Sequence, residues 1–100
     1  MKDADLCPSG YRRIDGKCKM VIVFRKFRDG DVIALFPDDI DTFSRTVTSY
    51  QHIGQHGGAD YSHVISITKP ATKREFKPLL DELTDMVGYE KSELEIRKKR

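Results

Sequence analysis

The stretch that most constrains this chain runs from Met20 to Phe36. Met20 to Phe27 holds Val21, Ile22, Val23, Phe24 and Phe27, the β-branched and aromatic side chains that suit a pleated strand. Arg28-Asp29-Gly30-Asp31 follows, with Asp-Gly placed for a tight hairpin turn. Val32 to Phe36 predicts the return strand, and Pro37 is expected to end it. A two-residue turn sets Arg28 opposite Asp31, Phe27 opposite Val32, Phe24 opposite Leu35 and Val23 opposite Phe36. That register aligns one ion pair and three apolar pairs. Both faces of the hairpin are apolar, so it must lie mid-sheet or be covered on both sides.

The rest of the chain supplies the cover. Pro37 to Asp41 reads as an acidic loop. Phe43 to Ile53 alternates, with Phe43, Val47 and Ile53 on one face and Ser44, Thr46, Thr48, Tyr50 and His52 on the other, which predicts a half-buried strand. Gly54 to Asp60 is a glycine-rich break. Tyr61 to Thr68 alternates again, with Tyr61, His63, Ile65 and Ile67 on one side, and predicts another strand closed by Lys69-Pro70. Thr72 can cap a helix in which Phe76, Leu79, Leu80, Leu83 and Val87 form one stripe. Pro78 suits a first turn, so the regular helix is expected from about Lys77, with Gly88 as its stop. Glu93 to Arg97 predicts a final strand, although Ser92 and Glu95 have the spacing of a capping box.

The order is β-β-β-β-α-β: an α+β domain whose mainly antiparallel sheet of four to five strands packs on one helix. With 100 residues there is room for one core. The parts are a Cys-flanked N-terminal flap over 1–18, the domain over 19–97 and a basic tail over 98–100. The longest apolar run, Met20 to Phe24, is five residues, far short of a membrane span. No membrane partner is expected.

Cys7 and Cys18 are the only cysteines. Their spacing is too wide for a redox C-x-x-C motif, and two cysteines alone do not fill a structural zinc site. Turn signals at Pro8-Ser9-Gly10 and Asp15-Gly16 bring them near each other. The charged opening Met1 to Cys7 lacks the apolar stretch of a secretion signal, so the cytoplasm is the default compartment. A reducing cytosol disfavours a permanent bridge, whereas a particle that leaves the cell removes that objection.

All three histidines lie between His52 and His63. A contact surface for a binding partner is expected from Tyr50, His52, Gln55, His56, Asp60 and Tyr61, on the polar strand face and the glycine loop. A metal reading uses His52, His56 and Asp60, but Gly54, Gly57 and Gly58 oppose the helix that gives H-x-x-x-H spacing its meaning. An acid–base enzyme would use His52 or His56 oriented by Asp60, with no nucleophile motif nearby. Glycine and aspartate also make plain connecting turns. No catalytic residue and no cofactor is assigned. A separate, nucleic-acid reading uses Arg12, Arg13, Lys17, Lys19 and Arg25 with the tail Lys98, Lys99 and Arg100. The formal charge is only +2, with a pI near 8.6, below the strongly basic range typical of such domains. Basic side chains also guard sheet edges.

The stretches Val23-Phe24-Arg25-Lys26-Phe27-Arg28-Asp29-Gly30-Asp31-Val32-Ile33-Ala34-Leu35-Phe36-Pro37 and Ser49-Tyr50-Gln51-His52-Ile53-Gly54-Gln55-His56-Gly57-Gly58-Ala59-Asp60-Tyr61 resemble small uncharacterised proteins of bacteriophages and bacterial mobile elements, over about residues 20–90. The resemblance implies a phage or mobile-element setting and transfers no catalytic residue. There, small proteins serve as virion parts, regulators or antagonists of host defence. The expectation is a non-enzymatic accessory protein that binds a protein partner or itself, in the host cytoplasm or in a virion.

Overall fold

The structure is a computed structural model that describes residues 7–51 and 55–99. Its strands are β1 (Arg12–Ile14), β2 (Lys17–Lys26), β3 (Val32–Asp41), β4 (Thr46–Gln51), β5 (Gln55–Ala59), β6 (Lys69–Pro70) and β7 (Leu94–Arg97). Helix α1 (Tyr61–Ile67) precedes β6, and α2 (Lys73–Glu82) continues into a π turn over Leu83–Val87. The α+β class and the mainly antiparallel sheet agree with the sequence reading.

Strand β2 is the spine. Val23 to Lys26 pair antiparallel with Val32 to Leu35 of β3. On the opposite edge, Met20 to Val23 pair parallel with β7, and Arg25 and Lys26 pair antiparallel with β6. Strands β4 and β5 continue the sheet beyond β3. Alternation along β2 then builds two apolar clusters, one on each face of the sheet, where the chain length suggests room for one. Met20, Ile22 and Phe24 join Ala34, Phe36, Tyr50 and Leu94 under Leu79, Leu80 and Leu83 of the α2 segment. Val21 and Val23 join Ile33, Leu35 and Val47 under Val64 of α1. The hairpin is therefore covered on both faces, by a different helix on each.

The hairpin register differs from expectation by one residue: Phe24 pairs with Ala34, and Val23 with Leu35. Gly30 holds φ +100°, while Asp29 stays out of the left-handed region that the expected two-residue turn needs at both central positions. The loop is instead the three-residue type with a left-handed glycine. The Phe27 N–H donates to Asp31 O at 2.8 Å, and the Gly30 N–H to Phe27 O at 2.9 Å. The Asp31 N–H donates to Asp29 Oδ1 at 3.0 Å. Pro37 does not end β3; it sits buried at a register irregularity between Phe36 and Ile40, a place where a strand tolerates proline.

Three further expectations are corrected. Residues 61–67 are helix α1, not a strand, so the sheet is backed by two helices. Asp60 caps α1, its Oδ1 accepting from the His63 N–H at 3.1 Å. The far end is closed by a residue 40 positions away. The buried Arg25 guanidinium donates to Ile65 O at 3.0 Å, Thr68 O at 2.6 Å and Thr68 Oγ1 at 2.9 Å. A cation at the carbonyl end of a helix satisfies its free acceptors and its dipole. Burial lowers the pKa of Arg25 from the ordinary arginine value, and Tyr61 pushes it the other way. Second, Gln55–Ala59 is not a break but the edge strand β5. Third, α2 begins at Lys73 rather than about Lys77, held by a capping box between Thr72 and Glu75. Pro78 lies inside α2 on an exposed face, where water can take up the carbonyl it leaves unbonded. Gly88 stops the segment as expected, its N–H donating to Leu83 O at 3.0 Å.

The sulfurs of Cys7 and Cys18 lie at disulfide distance, 2.17 Å, with their Cα atoms 5.4 Å apart. The flap they close docks on the end of the α2-side core. Arg12 bonds Asp38 at 2.9 Å, and Gly10 is buried at φ +88° against the side chain of Asp39. Thr48 Oγ1 donates to Asp39 Oδ2 at 2.8 Å, and Tyr89 stacks on Phe36 at 5.5 Å. Burial raises the Tyr89 pKa, with Asp39 and Tyr11 adding to it.

Two outcomes follow from this architecture. Arg25→Met should lower stability by about 2–3 kcal/mol, since it strips three bonds to a charged donor and leaves helix carbonyls unmet. In urea unfolding its midpoint should fall, and α1 amides should exchange faster than those of α2. Reducing the disulfide should cost about 3 kcal/mol from the twelve-residue ring it closes, read as the difference in midpoint with and without reductant.

Candidate functional site

Alternation on β4 turns Thr46, Thr48 and Tyr50 toward α2 and Val47 and Ser49 toward α1. Tyr50, expected on an accessible polar face, is 1% exposed. That face is covered by α2, and the Tyr50 hydroxyl donates to Glu82 Oε2 of the helix, itself buried. Tyr50 thus belongs to the core. Gln55 and His56 lie on β5 opposite Gln51 and Tyr50. His52 lies outside the described residues, and with it the reading that joins His52, His56 and Asp60 around a metal. Among the described residues no group of three His, Cys, Asp or Glu could hold a metal ion. Asp60 is spent partly on capping α1, and His63 is exposed on that helix.

Asp60 and Tyr61 do meet at a concavity. They and Ser62 form one wall of a hollow of about 350 Å³, and Ile40, Thr42, Arg45 and Val47 form the other. The second wall is the β3–β4 turn with the strand ends that flank it. Asp41 shapes it, its Oδ1 accepting from the Phe43 N–H at 2.9 Å and its carbonyl from the Arg45 N–H at 2.7 Å. Arg45 sits in the left-handed region at φ +59°. This turn lifts Phe43, expected on a buried strand face, to 99% exposure, beside Ile40 at 51%. The signal was present: Asp41-Thr42 and Ser44 are turn formers whose side chains bond the local backbone.

At the other end of α1 lies a wider groove of about 980 Å³. The hairpin tip (Lys26, Phe27, Arg28, Asp29) makes one wall, and Ser66, Ile67, Thr68 and Lys69 make the other. Sequence reasoning missed it because its walls are joined by the pairing of β2 with β6 and by Arg25, contacts between residues some 40 positions apart. Lys26 is held by Glu75 of α2. The Lys26 ammonium, helped by the Thr72 backbone, draws the Glu75 carboxyl down to about 2.

Of the basic residues expected to meet nucleic acid, Arg12 and Lys19 are cross-strand partners on β1 and β2. Arg12 is paired with Asp38, and Arg25 is buried under α1. Arg13 donates to Gly16 O at 3.2 Å. Lys17, Lys98 and Lys99 are exposed and Lys19 is half-buried; Arg100 lies outside the described residues. No helix among the described residues is long and apolar enough to cross a membrane. Compared with known proteins, the chain matches no family model, no curated protein and no solved structure.

The Lys26–Glu75 pair gives a pH prediction. Glu75 is held ionised by the fold, so its contribution is fully present above its unfolded value near 4.5 and is lost as pH falls through about 2. An NMR titration should find the Glu75 midpoint near 2 in the native chain, and Lys26→Met should move it up toward the ordinary range. An unchanged midpoint in the variant would refute the pairing.

Proposed function

We propose that this chain works by binding a protein partner, without catalysis, and that the contact surface is the corner where the β3–β4 turn meets the start of α1. Phe43 carries the reading. A single exposed apolar side chain needs no explanation, but here a fully exposed ring on the turn follows half-exposed Ile40 at the end of β3. That turn walls a hollow shared with Arg45 and Tyr61. Aromatic residues and arginine are the side chains that anchor protein interfaces. Covering a phenyl ring gains about 2–3 kcal/mol, and the hollow offers the partner a place for an apolar side chain of its own. Asp60 and Tyr61 keep their expected part in this surface.

The setting that goes with this reading is the one implied by the resemblance to small phage and mobile-element proteins: a virion component, a regulator or an antagonist of host defence. The cysteine pair at disulfide distance favours the virion over a reducing cytoplasm. A self-assembling role is one form of it, with a second copy as the partner.

The test is a photo-reactive phenylalanine at position 43, illuminated in the producing cell or particle, with position 85, exposed in the π turn after α2, as control. The reading expects one discrete adduct at 43 and none at 85, and its mass reports the partner, a second copy included. Phe43→Ser should leave the free energy of urea unfolding within about 0.5 kcal/mol of the parent while removing the partner from the purified assembly. Identical adducts at both positions, or none at either, would overturn it.

A further inference from the structure

We propose that the groove at the C-terminal end of α1 binds single-stranded nucleic acid, with a base stacked on Phe27 beside Ile67 and the flanking phosphates on Arg28 and Lys69. The site is separate from the Phe43 corner: α1 lies between them, its first residues lining one and its last residues the other.

Charge is the first argument. The groove lining holds three cations, Lys26, Arg28 and Lys69, against one carboxylate, Asp29. Asp29 already accepts from the Asp31 N–H, and Lys26 is paired with Glu75. The Arg28 and Lys69 side chains make no ion pair or hydrogen bond among the described residues, and they stand on opposite walls. Two uncompensated cations facing each other across a cleft suit a ligand that carries repeated negative charge. The basic character continues past β6 into the exposed Lys73 and Arg74 of the first turn of α2.

The floor is the second argument. Phe27 is half-buried, held at the edge of the α1-side core, and Ile67 is 50% exposed. An aromatic and an aliphatic surface between cations is the arrangement on which bases stack whatever their sequence. An acidic peptide would answer the charges but leave this floor uncovered. The third argument is rigidity. One wall is fixed by the hairpin-loop bonds around Gly30 and the other by Arg25, and both anchor to β2. A preformed cleft spends less binding energy on ordering.

Fluorescence anisotropy of a short labelled oligothymidylate on the full chain tests this. Binding at low salt should weaken as salt rises, with a log–log slope of about −0.7 for each phosphate neutralised. Arg28→Ala with Lys69→Ala should weaken binding about tenfold or more and flatten the slope by about 1.4. Phe27→Leu should weaken it about five- to a hundredfold with the slope unchanged, and Ile67→Ser, at a half-exposed position, repeats that test where folding is not at stake. Absence of binding at low salt overturns the proposal. So does equal competition by poly-glutamate, which would assign the groove to acidic peptides. Loss of binding in Arg13→Ala with Lys17→Ala, but not in the groove variants, would move the contact to the flap. None of these outcomes bears on the adduct at position 43.

Discussion

Strand β2 cannot be exposed on either side. Val21, Ile22 and Val23 are wholly buried and Phe24 is 2% exposed, so each face of the strand needs its own cover. The chain provides α2 for one face and α1 for the other. Arg25, next along the strand, continues the face that α1 covers. A charge there would be costly to bury alone, yet it meets the carbonyl end of the helix that buries it. The strand that demands a cover thus also carries the clasp that holds the cover in place.

The shortness of that cover shapes the surface. Helix α1 has seven residues, and it spans only part of the sheet. Its start leaves the corner with Phe43, Ile40 and Arg45; its end leaves the groove with Phe27, Arg28 and Lys69. The two are chemically unlike. The first is apolar with balanced charge and suits a protein surface. The second is cationic with an apolar floor and suits a polyanion with flat faces. The flap braces the other face, where Arg12, Tyr89 and the Cys7–Cys18 pair close the end of the α2-side core.

The hairpin, the α2 stripe, the flap turns and the meeting of the cysteines were legible because each rests on local pattern. The hairpin register was not. In β2 and β3 both faces are apolar, so a slip of one residue still pairs apolar with apolar, and only the φ of Gly30 decides. Helix α1 was misread because Tyr61, His63, Ile65 and Ile67 alternate while Tyr61, Val64 and Ile65 keep helical spacing; seven residues do not separate the two periods. The cap at Asp60 is local, but the closure of the far end comes from Arg25, which no local window contains. Tyr50 was read as accessible because its neighbours Thr46 and Thr48 are polar, but those hydroxyls serve Ser44 and Asp39 while the ring enters the core. Of the expected contact surface, Asp60 and Tyr61 reach a concavity. Two residues that complete it stand upstream of Asp60: Ile40, 20 positions away in β3 where 37–41 reads as an acidic loop, and Arg45, 15 positions away on a turn where the alternation of 43–53 predicts strand.

Helices α1 and α2 cover opposite faces of β2. Methyl NOEs in the folded chain test this directly. Val64 should show cross-peaks to the methyls of Val21, Val23, Ile33, Leu35 or Val47, and Leu79 and Leu83 to those of Ile22 and Ala34, with no exchange between the two sets. Cross-peaks from Val64 to the α2 leucines, or strand-type backbone NOEs over 61–67, would contradict it.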